Sequence, residues 1–266
     1  MLLPEVPLKT VIDVARIRRA CRIVETILAE LPSLMIPGVS TKRIDSFCSA
    51  RISKNRVDSA IKGYKDFPGN VCISVNNVAA HGVPDSYTLC EGDVVSVDIA
   101  VMTDGWYGDG AWTYVVGKPK KDVIRLLKAT WQAVAEGIDN ARPGKRFGDI
   151  GYAIQERAAS FGCSVLGDFV GHGIGKELHE EPKVLNFGDK NTGMIIVPGM
   201  VFTIEPIITL GAAEVKHLGN NWSFITADGS VSAQFEHTVA VFKERTEILT
   251  FSQNDIRKHV DFPPYF

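Results

Sequence analysis

Apolar positions recur along the chain with two periods, and the alternation between them lays out the elements. From Thr10 to Leu31, the residues Val11, Val14, Ile17, Cys21, Val24, Leu28 and Leu31 form a helical stripe, with Arg16, Arg18, Arg19 and Arg22 mostly off it. Thr10 with Asp13 three residues on predicts the helix start. Pro37-Gly38 breaks the chain, and Ile44, Phe47, Cys48 and Ile52 mark a second helix. Alternating segments near 57–61 and 71–75 lead into a loop, His81-Gly82-Val83-Pro84-Asp85. A basic bend, Lys118 to Lys121, reads as a solvated helix start, followed by helices over Asp122–Ala141 and Phe147–Ala158 with Pro143-Gly144 between them. A segment at 163–170, a loop with His172 and His179, and strands at 200–209 and Val231–Phe242 complete the pattern.

The stretch Val94–Val116 departs from a plain core pattern. It reads as two strands joined by a turn at Thr103-Asp104-Gly105, with Val95, Val97 and Ile99 on one face and Ser96 and Asp98 on the other. A turn centred between Thr103 and Asp104 sets Asp98 directly opposite Asp109, and any even-length turn keeps both carboxylates on one face. Facing carboxylates repel, and a cation between them is the simplest stabilising partner. On the hairpin alone, Asp109 fits equally well in a solvated bend, Tyr107-Gly108-Asp109-Gly110.

The second half repeats the plan of the first. Gly38 maps to Gly144 at an offset of 106, and Gly92 maps to Gly199 at an offset of 107. The latter offset sets Ser96 on Thr203, Val97 on Ile204 and Asp98 on Glu205. The pattern predicts two related α+β halves about a pseudo-twofold axis, with equivalent strands bringing Asp98 and Glu205 to one site. Glu236 likewise interrupts a core-quality strand, sharing a face with Gln234, while Phe235 and His237 take the other. Asp98, Asp109, Glu205 and Glu236 together with His172 form a set suited to Mn, Fe(II), Co or Zn, and bridging carboxylates fit a pair of ions.

Composition narrows the field further. The chain has 266 residues, 45% hydrophobic and 23% charged, with a net charge of −2, so no global basic field points to nucleic acid. No apolar run reaches the ~18 residues of a membrane span. The start, MLLPEVPLKT, lacks the basic and apolar regions of a secretory signal. The 5 cysteines form no CxxC pair and read as free thiols of a reducing cytoplasm.

The motifs HGVPD, VDIAVMTDGWYGD, GHGIG, HEEP, FTIEP and SAQFEHT, in that order, resemble those of type I methionine aminopeptidases of the pita-bread fold. The resemblance spans roughly residues 10–250 and implies an α+β fold of two pseudo-symmetric halves, mainly antiparallel sheet backed by helices. It implies an extension over 1–9, one catalytic domain over 10–251 with repeats of about 10–117 and 118–251, and a tail over 252–266. The family's metal ligands fall on Asp98, Asp109, His172, Glu205 and Glu236. Asp98 would hold one ion and His172 with Glu205 the other, with Asp109 and Glu236 bridging; the ions would be Co, Mn, Fe(II), Zn or Ni.

The same resemblance assigns catalytic roles to Glu205, His179 and His81. Glu205 would be the general base, His179 would hold the oxyanion, and His81 would contact the peptide beyond the scissile bond. Apart from the resemblance, Asp85, Asp93, Asp104, Glu180 and Glu181 read as caps, turns or solvated charge, with Glu180-Glu181 ahead of Pro182 at most positioning His179. A methionine pocket would comprise Tyr64, Phe67, Cys72, Leu178 and Trp222, with Phe67 and Leu178 standing where relatives often carry Tyr and Phe. The implied substrates are nascent polypeptide N-termini at the ribosome, met by a cytoplasmic monomer with no specific nucleic acid or membrane partner. Two alternatives are an Xaa-Pro peptidase of the same fold and a non-catalytic protein- or RNA-binding relative. Prolidases usually carry a long extra N-terminal domain, and binding relatives lose ligands that this chain keeps. The 33 residues from His172 to Glu205 leave no room for the insertion of type II enzymes. GHGIG lacks the G-x-G-x-x-G spacing of a dinucleotide loop.

Overall fold

The structure, a computed structural model, describes residues 5–251, and the tail lies outside the described residues. The first helix, α1 (Val11–Glu30), begins at Thr10, whose hydroxyl accepts from the Asp13 amide while the Asp13 carboxylate accepts from the Thr10 amide. Its buried face carries Val14, Ile17, Cys21, Val24 and Leu28, but Val11, in the first turn, is exposed. Helix α2 (Thr41–Lys54) follows. The strands of the first half are β1 (Asp58–Ser59), β2 (Cys72–Val75), β3 (Val78–Ala80), β4 (Val94–Thr103) and β5 (Trp106–Val115). The second half opens with α3 (Lys121–Asn140) and α4 (Phe147–Ser160), matching α1 and α2 in length at 20 and 14 residues. Its strands are β6 (Ser164–Val165), β7 (Gly171–Gly173), β8 (Glu180–Val184), β9 (Val201–Ile204), β10 (Ile207–Thr209), β11 (Val215–His217), β12 (Phe224–Thr226), β13 (Ser232–Gln234), β14 (His237–Val241) and β15 (Thr246–Ile248).

The halves repeat down to single hydrogen bonds. Gly38 donates its amide to Leu89, and Gly144 donates to Ile196. Ser40 bridges Thr88, and Arg146 bridges Ile195. Asp58 and Ser59 pair with Met102 and Val101, and Ser164 and Val165 pair with Thr209 and Ile208. Every pair preserves the offset of 106 or 107 read from the glycines. Those glycines all have positive φ (Gly38 90°, Gly144 84°, Gly92 89°, Gly199 95°), so each turn needs a residue without a Cβ penalty.

Where the halves join, β5 meets the chain from Gln234 to Thr238. The Thr113 hydroxyl donates to the Gln234 carbonyl, the Glu236 amide donates to Ala111, and the Thr238 hydroxyl donates to the Asp109 carbonyl. The strands that meet at the pseudo-axis are therefore the partners of β4 and β9, rather than the strands that carry Asp98 and Glu205.

Three further sequence expectations change. The hairpin turn centres between Asp104 and Gly105, so Asp98 faces Ala111 and Asp109 faces Ala100. Both carboxylates stay on one face, two residues out of register. The 200–209 strand is two strands, because Pro206 has no N–H for the ladder. The 231–242 strand is also two, because the Glu236 amide leaves its own ladder to pair with Ala111.

Helices pack against these sheets, α1 on β4 and β5 and α3 on β10 and β13. Gly108 lets α1 approach β5, since a Cβ there would lie 2.5 Å from the Cys21 backbone nitrogen. Trp112 and Trp131 pack edge-on at 5.3 Å beside Phe235 and buried His237, and with Trp106 they are core residues. Among the described residues, no helix is long and apolar enough to cross a membrane.

Candidate active site

The chemistry-bearing residues gather in one cavity of about 440 Å³. Asp98, Asp109, His172, Glu205 and Glu236 all line it, as do His81, His179, Tyr64, Phe67, Cys72, Leu178 and Trp222. A larger groove of about 700 Å³, lined by α3 and α4 residues such as Glu136, Tyr152 and Arg157, contains none of them.

Asp98 comes from β4 and Asp109 from β5, while His172 lies on β7. Glu205 sits in the gap between β9 and β10, and Glu236 in the gap between β13 and β14. Asp109 is 6% exposed within a strand, so the glycine-rich stretch around it is no solvated bend; its glycines serve helix packing. His172 Nε2 lies 3.6 Å from Asp109 Oδ2 and 3.5 Å from Glu205 Oε1. Ligand atoms of Asp109, His172 and Glu236 fall within 4.8 Å of one another.

The electrostatics of this cluster are those of a cation site. His172 Nδ1 donates to the Gly173 carbonyl at 3.0 Å, which leaves the Nε2 lone pair facing two carboxylates. Asp109 Oδ1 and Glu236 Oε1 are buried and have no hydrogen-bond partner among the described residues. Burial pushes the Asp98 carboxyl up to about 7, against hydrogen bonds from Asp109 and Gln234, and pushes Glu205 up to about 8. Burial also raises Asp109 and Glu236 well above the usual carboxylate range, with neighbouring carboxylates adding to it. Lone pairs aimed at one another, with two orphaned acceptors, fit a divalent metal: all donors are oxygen or imidazole nitrogen, and the ion supplies the missing positive partner.

The other two histidines flank the cluster. The His179 ring lies 4.2 Å from that of His172, and its Nδ1 is 3.0 Å from the Tyr64 hydroxyl. His81, at φ 51°, packs edge-on against Phe169, Trp222 and Phe224. Burial lowers His81, His172 and His179 to about 4, so all three are neutral imidazoles at pH 7. Phe67 and Trp222 meet edge-on at 5.1 Å. Cys72 faces Asp98 across β2 and β4, with its thiol pushed well up by burial and then by the Asp98 carboxylate.

Other polar residues support the site. The Thr203 hydroxyl donates to Glu205 Oε1 at 2.6 Å and accepts the His172 amide at 3.0 Å. The repeat already flagged Thr203 as the counterpart of Ser96, although its contact with Glu205 depends on the break after β9. Lys65 and Asp168 also line the cavity, and no sequence signal set them apart. Asp93, taken from the sequence as a turn or solvated charge, is buried and accepts from Asn76, Tyr87 and the Cys90 amide. His217 packs against the Phe224 ring, and His259 lies outside the described residues.

The buried carboxylate–imidazole cluster at the junction of two duplicated α+β halves fits a metal site, and comparison with known proteins makes the class that of a metal-dependent hydrolase. The chain belongs to metallopeptidase family M24, whose model matches residues 15–243. It is 40% identical over 242 residues to methionine aminopeptidase 1 of Bacillus subtilis, covering 91% of this chain and 98% of that protein. Identity to the Escherichia coli methionine aminopeptidase is 38% over 252 residues, 94% of this chain and 96% of the relative. The crystal structure of the Rickettsia prowazekii methionine aminopeptidase superposes with a TM-score of 0.91 at 38% identity, over 93% of this chain and 100% of that one. The Pyrococcus furiosus prolidase, at TM-score 0.73 and 20% identity over 93% of this chain and 66% of that one, shares the fold.

Proposed function

We infer that this protein removes the N-terminal methionine from polypeptides by metal-dependent hydrolysis of the first peptide bond. The observation that carries the reading is the convergence of His172 Nε2 with Asp109 Oδ2 and Glu205 Oε1, at 3.6 and 3.5 Å, in a cavity that apolar side chains also line. Asp98, Asp109, His172, Glu205 and Glu236 would hold the divalent metal. When bound, such ions polarise a carbonyl and bring the pKa of water from 15.7 towards about 7.

The protein's own groups then do the positioning and proton transfer. Glu205, oriented by the Thr203 hydroxyl, takes a proton from the attacking water and returns it to the leaving amine. The Tyr64 hydroxyl, 3.0 Å from His179 Nδ1, suits the tautomer that carries its proton on Nε2, the proton His179 offers to the oxyanion. His81, held by its aromatic neighbours, contacts the peptide beyond the scissile bond. Tyr64, Phe67, Cys72, Leu178 and Trp222 wall the methionine pocket, where aromatic and sulfur surfaces suit a flexible thioether. A free α-amine is needed at the cluster, so formylated termini are poor substrates. The catalytic unit spans residues 10–251, and its substrates are nascent chains met in the cytoplasm, at the ribosome, by a monomeric enzyme.

A peptide panel tests this reading. Metal-stripped protein is given Mn, Fe(II), Co, Zn or Ni and assayed on Met-Gly-Met-Met, Leu-Gly-Met-Met and Ala-Pro-Met-Met. Metal-dependent release from the Met peptide alone is expected. Cleavage of the Ala-Pro peptide alone moves the protein to the proline-directed branch of the fold, and no cleavage by folded, metal-loaded protein rejects peptidase activity.

A further inference from the structure

We propose that Lys9 is a positioning residue for catalysis: from the segment ahead of α1 it clamps the loop that presents His179. The clamp is a buried ion pair across 171 residues of sequence. Lys9 Nζ lies 2.5 Å from Glu180 Oε2, with the two side chains 5% and 8% exposed. Its backbone is pinned separately, the Lys9 amide donating to the Gly199 carbonyl at 2.7 Å.

The other oxygen of Glu180 holds the loop itself. Glu180 Oε1 accepts the amides of Lys176 at 2.6 Å and Glu177 at 3.1 Å. One carboxylate thus joins the loop backbone on one side to Lys9 on the other, and His179 is its immediate neighbour in the chain. The loop lies directly on the lysine stem: a Cβ at Gly175 would meet Lys9 Cε at 2.2 Å. An apolar pair of similar volume would serve stability as well, so the proposal assigns this pair the role of fixing a geometry. Here the geometry fixed is that of an imidazole that must sit within hydrogen-bond reach of a developing oxyanion, where small displacements are costly.

The proposal rests on the reading of His179 as a catalytic group, and the test separates the two. Steady-state kinetics on Met-Gly-Met-Met are compared for metal-loaded wild type, Lys9→Met, His179→Ala and the double variant, well below each melting temperature. Lys9→Met is expected to lower kcat by about tenfold or more. In the His179→Ala background the same substitution is expected to change kcat by less than about twofold, because the group it positions is gone. Amide exchange over residues 174–180 should rise in Lys9→Met. Gly175→Ala keeps both charges but obstructs the lysine stem, so it should reproduce the kcat loss even if Lys9→Met folds poorly. An unchanged kcat in Lys9→Met, or an equal fold loss in both backgrounds, overturns the proposal. If His179→Ala alone leaves kcat unchanged, the catalytic role of His179 falls and the purpose of the clamp with it, a failure visible in that single variant.

Discussion

Glu205 and Glu236 occupy facing gaps in one antiparallel ribbon: Ile204 pairs with His237 on one side of the gaps, and Ile207 pairs with Gln234 on the other. Two residues on each strand leave the ladder at the same level, and each gap contributes one carboxylate to the cavity. The gaps free these side chains from the strict alternation of a strand and turn both towards Asp109 and His172. Glu205→Gln keeps the shape but removes the proposed base, so kcat should fall by roughly 10²–10⁴ with the fold intact, as read by peptide cleavage beside circular dichroism.

Stability of the metal-free protein should fall as pH rises from about 6.5 to 8.5. Asp98 at about 7 and Glu205 at about 8 bind protons in the folded state that an unfolded chain, with values of 3.8 and 4.5, has already released. The folded state therefore holds more protons across that window, and stability is lost as these groups ionise. The buried histidines, at about 4, work in the opposite direction, but only below their unfolded value of 6.5. Thermal melts of chelator-treated protein check this, with added metal expected to flatten the dependence and release protons on binding. A melting temperature that climbs with pH above 6.5 would be incompatible with four buried carboxyls.

Alkylation should single out one thiol. Cys90 is exposed, whereas burial raises Cys21 to about 12 and pushes Cys48, Cys72 and Cys163 up as well. Iodoacetamide at pH 8 should modify Cys90 first and leave peptide cleavage unchanged. Rapid labelling of Cys72 with loss of activity would show that the pocket wall is open to solvent.

Gly108→Ala should destabilise the protein by about 1–3 kcal/mol, because its new methyl meets the α1 backbone rather than a flexible side chain. At this chain length that corresponds to a fall in melting temperature of roughly 2–4 °C per kcal/mol. Metal affinity should drop with it, since the displaced strand carries Asp109. An unaltered melting temperature would show that α1 can retreat freely.

Much of this was readable in the chain because duplication leaves a register. Gly38, Gly92, Gly144 and Gly199 mark the same two turns twice, each with a backbone that only glycine adopts easily, so their spacing carried the pseudo-symmetry into the sequence. Asp98, Glu205 and Glu236 stood out because a charge inside an apolar strand needs a partner. The strand breaks were less legible. Pro206 signals one of them, but the other depends on Ala111 accepting the Glu236 amide from the opposite half. The Lys9–Glu180 pair was equally hidden, because nothing local to either residue indicates a partner so far along the chain.

The most direct test of the five-ligand site is an anomalous difference map from crystals grown with Mn(II). Two peaks about 3.5–4 Å apart are expected, one against Asp98 and the other against His172 and Glu205, with Asp109 and Glu236 between them. An empty cavity in Mn-loaded, active protein, or peaks held by residues outside this set, would contradict it.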